Sequence, residues 1–108
     1  MMVTQEIVEA FRITQIPDLD PIAVVLTDYS RGSGRITIEC YGAAWSTYWG
    51  AMGDNTLREF IPSCSTDYIA NRLLSPQHKR NKSDLAYLRR ITAVVQEAIR
   101  ASQRRTGG

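Results

Sequence analysis

Apolar residues alternate with small or polar ones from Ile22 to Cys40, the two-residue period of strands with one buried face. Ile22, Val24 and Leu26 form one apolar row and Ile36, Ile38 and Cys40 another, while Ser30-Arg31-Gly32-Ser33-Gly34 between them suits a chain reversal. The pattern predicts a β-hairpin of Ile22–Tyr29 and Arg35–Tyr41 with both rows on one face. Upstream, Glu6 to Ile16 fits either period. Ile7, Val8 and Phe11 would suit a helical turn, but the alternation from Ala10 onward favours a strand, which Pro17-Asp18-Leu19-Asp20-Pro21 then breaks. Downstream, Ala43 to Trp49 can be read two ways: a strand with Trp45, Thr47 and Trp49 on one side, or a helical turn joining Trp45, Tyr48 and Trp49. Gly50 and Gly53 stop either.

Beyond Gly53 the period becomes helical. Asp54 or Asn55 can cap a short helix carrying Leu57, Phe60 and Ile61 and ended by Pro62. Ser65 or Thr66 can cap a second, with Ile69 and Leu73 inward and Ser75-Pro76 at its end. After the basic loop Gln77–Lys82, Ser83 caps the longest element, which runs to about Gln103. Its apolar stripe is Leu85, Leu88, Ile91, Val94 or Val95, Ala98 and Ile99, and Arg89, Gln96, Arg100 and Gln103 fall largely away from it. The expected fold is one α+β domain over residues 1–108, with 1–5 and 104–108 as disordered tails. Its sheet is antiparallel, with three strands and a fourth if Trp45–Trp49 is extended. Short helices follow, and a long C-terminal helix packs on the sheet.

Charge changes this picture by its distribution. Residues 1–60 hold four basic against eight acidic groups, net −4, and residues 61–108 nine against three, net +6. The amino terminus lacks the basic start and apolar core of a signal peptide, and no run approaches the roughly 18 apolar residues of a membrane span, so the expected location is the cytoplasm. Cys40 and Cys64 lie 24 residues apart, without the spacing of a zinc or redox motif, and are expected as thiols.

Candidate chemistry is sparse. The single histidine, His78, stands in the basic loop, where its neighbours predict a solvated side chain rather than the base of a nucleophile. No phosphate-loop or dinucleotide fingerprint is present, and Gly32-Ser33-Gly34 lies between antiparallel strands, with no helix amino terminus after it. Neither a catalytic residue, nor a metal ligand, nor a cofactor site is assigned. The aromatic run Trp45, Tyr48 and Trp49 has the composition of a binding hot spot, one indole inside and one aromatic outside being the expected arrangement, with Asp54 and Glu59 as a charged rim. Alternatively Lys79, Arg80, Lys82, Arg89 and Arg90 could follow nucleic-acid phosphates.

Ile36-Thr-Ile-Glu-Cys-Tyr-Gly42, the following Ala44-Trp-Ser-Thr-Tyr-Trp-Gly-Ala-Met-Gly53, and Leu57–Ile61 with Asp67-Tyr-Ile69 resemble small accessory proteins of temperate bacteriophages and prophages. The resemblance covers the middle third to half of the chain. It implies a stoichiometric, non-enzymatic binder of a host protein or complex, as a monomer or homodimer in the bacterial cytoplasm, with inhibition of host defence in the manner of an anti-CRISPR among its forms.

Overall fold

The computed structural model describes residues 1–6, 8–74 and 82–106, apart from the side chains of residues 82, 83 and 103–106. Strands β1 (Val8–Ile13), β2 (Ile22–Ser30), β3 (Ser33–Cys40) and β4 (Ala43–Trp49) precede helices α1 (Leu57–Ser63), α2 (Thr66–Leu73) and α3 (Lys82–Thr106). The strands form one antiparallel sheet in the order β1-β2-β3-β4, each paired with its neighbour in sequence. The α+β architecture is as expected, with the fourth strand present: Trp45–Trp49 is extended. Residues 1–6 have no regular structure, but α3 runs through Arg104 and Arg105 to Thr106, past the expected end at Gln103.

Register shows why the alternation matters. Ile22 lies opposite Cys40, Val24 opposite Ile38 and Leu26 opposite Ile36; β4 adds Trp45 beside Ile38 and Thr47 beside Ile36. All of these side chains are buried beneath the helices, joined by Leu57 and Ile61 of α1, Ile69 and Leu73 of α2, and Leu88, Ile91, Val95 and Ile99 of α3. They make one core. Each fully buried Leu or Ile contributes about 1.5–3 kcal/mol by removal from water, so this layer carries most of the favourable free energy of folding.

The helices are fastened by polar contacts that cross the chain. α1 is capped by Thr56 rather than by Asp54 or Asn55: Asn55 Nδ2 donates to the Met52 carbonyl, and the Leu57 N–H donates to Asp28 Oδ1 on β2 at 3.0 Å. Gln96, expected on the outer side of α3, is buried. Its amide donates to the carbonyls of Ile61 and Cys64 and its oxygen accepts from the Thr66 hydroxyl, so one side chain satisfies the end of α1 and the start of α2. Arg100 donates to the Pro62 carbonyl, and Pro62 lies inside the last turn of α1 instead of ending it. Ser65 caps α2 by accepting from the Tyr68 N–H.

One glycine shows how closely α1 sits on the sheet. A Cβ on Gly34 would lie 2.9 Å from both the Leu57 side chain and the Thr27 carbonyl oxygen, so a side chain there would force strand and helix apart.

Candidate functional site

The alternate residues of the same strands face away from the helices. Across the sheet they read Arg12, Ala23, Glu39 and Ala44 in one row; Ala10, Val25, Thr37 and Ser46 in the next; and Val8, Thr27, Arg35 and Tyr48 in the third. Each is exposed or half-buried, since the described helices all pack on the other side. Small side chains fill the middle of this face and aromatics stand at its end. Four strands about 4.8 Å apart and rising about 3.3 Å per residue present roughly 400 Å². That is about half of the ~800 Å² one partner contributes to a standard protein interface, so a partner would also need the rim.

The aromatic end is already ordered. Arg35 Nη1 donates to Ser46 Oγ at 2.9 Å, and Ser46 shares a 3.1 Å hydrogen bond with Thr37. The Arg35 guanidinium lies 5.9 Å from the Tyr48 ring centroid, and the Tyr29 ring is 6.1 Å from that of Tyr48. Tyr29 and Tyr48 are nevertheless 49% and 44% exposed, so both offer apolar area and a hydroxyl to solvent. Held side chains lose less entropy on binding, which is what an anchor requires. At the opposite end, Arg12, Ala23, Glu39 and Tyr41 line a hollow of about 350 Å³. The face therefore carries both signs of charge, with two arginines and one glutamate.

The tryptophans correct the expected binding set. Because Ala43–Trp49 is a strand, Trp45, Thr47 and Trp49 share its core side, and both indoles are buried, at 9% and 5% exposure. Trp45 meets Tyr87 of α3 edge-on at 6.2 Å. Trp49 meets Phe60 of α1 at 5.4 Å and donates its indole N–H to the Tyr68 hydroxyl of α2. Trp45 is roofed by α3 and Trp49 by α1 and α2, and of the three aromatics only Tyr48 reaches the surface. Asp54 and Glu59 are both exposed, Glu59 on α1 on the helix side of the sheet: its carboxylate accepts the Thr56 N–H at 2.8 Å, and that hydrogen bond holds it below the usual carboxylate range. Sequence reasoning missed Tyr29, Arg35, Thr37 and Ser46. The two-residue period that marked their neighbours as core assigned them to the other face, and it was the only signal they carried.

The basic set is not assembled into one patch among the described residues. Arg89 pairs with Asp67 of α2 at 2.7 Å, whereas Arg90 donates to the Pro17 carbonyl of the β1–β2 loop. Lys79, Arg80 and His78 lie outside the described residues, as does the side chain of Lys82.

Both cysteines are thiols. Cys64 is half-buried, and desolvation pushes its thiol up, away from the reactive thiolate. Tyr87 donates its hydroxyl to Cys40 Sγ at 3.4 Å, and Cys40 donates to the Asp20 carbonyl; that first hydrogen bond, then burial, pushes Tyr87 up to about 12. Among the described residues, no group of three or more His, Cys, Asp or Glu side chains is placed to hold a metal, and no helix is long and apolar enough to cross a membrane.

Compared with known families, the model of a phage family matches residues 1–85, which span the whole sheet, α1, α2 and the first turn of α3. No curated protein and no solved structure matches the chain.

Proposed function

From the premise that the chain belongs to this phage family, we propose that it is a non-enzymatic accessory protein that binds a protein or complex of the bacterial host, in the host cytoplasm, through the uncovered face of its sheet. The observation that carries this reading is the Tyr29–Tyr48–Arg35 cluster, preorganised yet half-exposed, at the end of a flat face of small residues and mixed charge. Tyrosine and arginine are the side chains that dominate protein-interface energetics when a partner desolvates them. At the opposite end of the face Arg12 and Glu39 supply both signs of charge, which suits an ordinary protein surface better than a uniformly anionic polymer. The face lies within the matched residues. Inhibition of a host defence system, the form suggested by the resemblance to prophage accessory proteins, is one outcome such binding would have.

Affinity capture from lysate of the bacterial host, with the parent chain and a Tyr29→Ala/Tyr48→Ala double variant, tests this reading. A defined host protein enriched by the parent and lost from the variant is the expected result; no specific enrichment by the parent overturns it. A nucleic-acid reading draws on the same cluster, because Tyr48 under Arg35 could stack on a base. It predicts a mobility shift that weakens steeply between low and moderate salt. A protein partner predicts no such shift.

A further inference from the structure

The two ends of the uncovered face differ in the backbone that turns there. Among the described residues, the non-glycine residues with positive φ are Gln15, Asp18 and Tyr41. All three lie at one end of the sheet, in the loop from β1 to β2 and the turn from β3 to β4. At the Tyr29–Tyr48 end the β2–β3 turn takes its positive φ at Gly32 instead. Tyr41 carries the bulkiest side chain of the three. Its turn has two residues, closing Cys40 on Ala43, with φ of 52° at Tyr41 and 76° at Gly42. Such a primed hairpin turn favours Asn, Asp or Gly at both central positions, because a larger side chain crowds the backbone at positive φ. Gly42 meets that requirement and Tyr41 does not. Nor does internal packing offset the strain. Tyr41 is 82% exposed, the most of the five tyrosines, and among the described residues no hydrogen bond or ring contact holds its side chain. Backbone strain of this kind collects where a ligand or partner is met.

The hollow beside Tyr41 is charged on two walls. Arg12 and Glu39 stand on either side of Ala23, two strand spacings or roughly 10 Å apart. Both are exposed, and among the described residues no ion pair or side-chain hydrogen bond joins either to the other or to a third group. The space between them, about 350 Å³, has the small Ala23 at its floor. A polyanion entering it would meet the Glu39 carboxylate. A free small molecule would stay largely open to water on a flat sheet beside a ring that stands out into solvent, whereas small-ligand sites bury most of their occupant. A protein surface with an acid opposite Arg12 and a base opposite Glu39 satisfies both walls, and its apolar side chains can cover the Tyr41 ring.

We propose that Tyr41, Arg12 and Glu39 form a second anchor for the host protein of the reading above, on which this inference rests. The partner surface there presents an acidic and a basic side chain, one for each wall of the hollow. Four residues of β3 separate Glu39 from Arg35, so this anchor lies roughly 13 Å along the strand from the tyrosine cluster, within reach of one partner. It supplies the rim that the flat face needs to make a full interface.

Stability and binding should move in opposite directions at Tyr41. Tyr41→Asn suits the left-handed turn better, so it should raise the denaturant midpoint above the parent's. The same substitution should weaken at least tenfold the binding of the purified host protein that the parent captures, measured by calorimetric titration. Arg12→Glu and Glu39→Arg should each weaken that binding at least tenfold. The Arg12→Glu/Glu39→Arg double variant restores the net charge but reverses the two walls, and should bind no better than either single variant. A lower midpoint for Tyr41→Asn, parental affinity in that variant, or recovery of affinity in the double variant would overturn the proposal. Parental binding by all of these variants beside lost binding by Tyr29→Ala/Tyr48→Ala would leave the function proposed above standing while this inference fails. A parent that captures no host protein would remove both.

Discussion

The two faces of the sheet come from the same four strands, residue by alternate residue, yet they are put to opposite uses. Toward the helices stand Ile22, Val24, Ile36, Ile38, Trp45 and Trp49, nearly all without solvent contact; toward water stand Ala10, Ala23, Thr37, Arg35, Ser46 and Tyr48. The first set is large and apolar, because burial repays the entropy of ordering long strands and helices. The second is small in the middle and aromatic at the end. A surface whose only task was solubility would carry more charge and fewer half-exposed rings. A single periodicity thus separates residues that hold the fold from residues available to a partner, and substitutions on the two faces should give different phenotypes.

The largest expected effect lies on the helix side. Trp49→Ala removes the buried ring that touches Phe60 together with its hydrogen bond to the Tyr68 hydroxyl, and should destabilise by about 3–5 kcal/mol, read as a lower denaturant midpoint. A midpoint close to the parent's would mean that the indole is not a core residue and the two faces are not distinct. Next comes Gln96→Leu, which keeps bulk but leaves the Ile61 and Cys64 carbonyls and the Thr66 hydroxyl without their partner. A loss of about 2–3 kcal/mol is expected. Stability equal to the parent's would show that water replaces this side chain and that α3 does not fasten the α1–α2 junction.

A smaller effect concerns pH. Tyr87 is raised in the folded state by its hydrogen bond to Cys40, so its contribution to stability is complete below the unfolded tyrosine value of about 10 and is lost as pH rises towards 12. Ultraviolet titration should show one of the five tyrosines ionising late, and Tyr87→Phe should remove that step and flatten the alkaline fall in stability. Five tyrosines ionising together would place Tyr87 outside the contact.

Much of this was legible in the chain before its structure. The Ile22–Cys40 hairpin and the stripe of Leu88, Ile91, Val95 and Ile99 announce themselves because neighbouring residues repeat a local period. Ala43–Trp49 did not, since seven residues fit either period until the β3 partner extends them. Gln96 was misjudged for another reason: it is polar by sequence and is drawn into the core only because the end of α1, 35 residues away in the chain, arrives beside it. The candidate site was legible only as a remainder. Its residues are the positions left over when the core is assigned, and Tyr29, Arg35 and Ser46 become a cluster only across three strands.

The most direct test of the division between the faces is one quantitative capture experiment. The Tyr29→Ala/Tyr48→Ala variant, whose melting should stay within about 1 kcal/mol of the parent as surface changes do, should retain less than a tenth of the host protein that the parent binds. Equal capture by parent and variant would contradict the account, because the uncovered face would then not be where the partner sits.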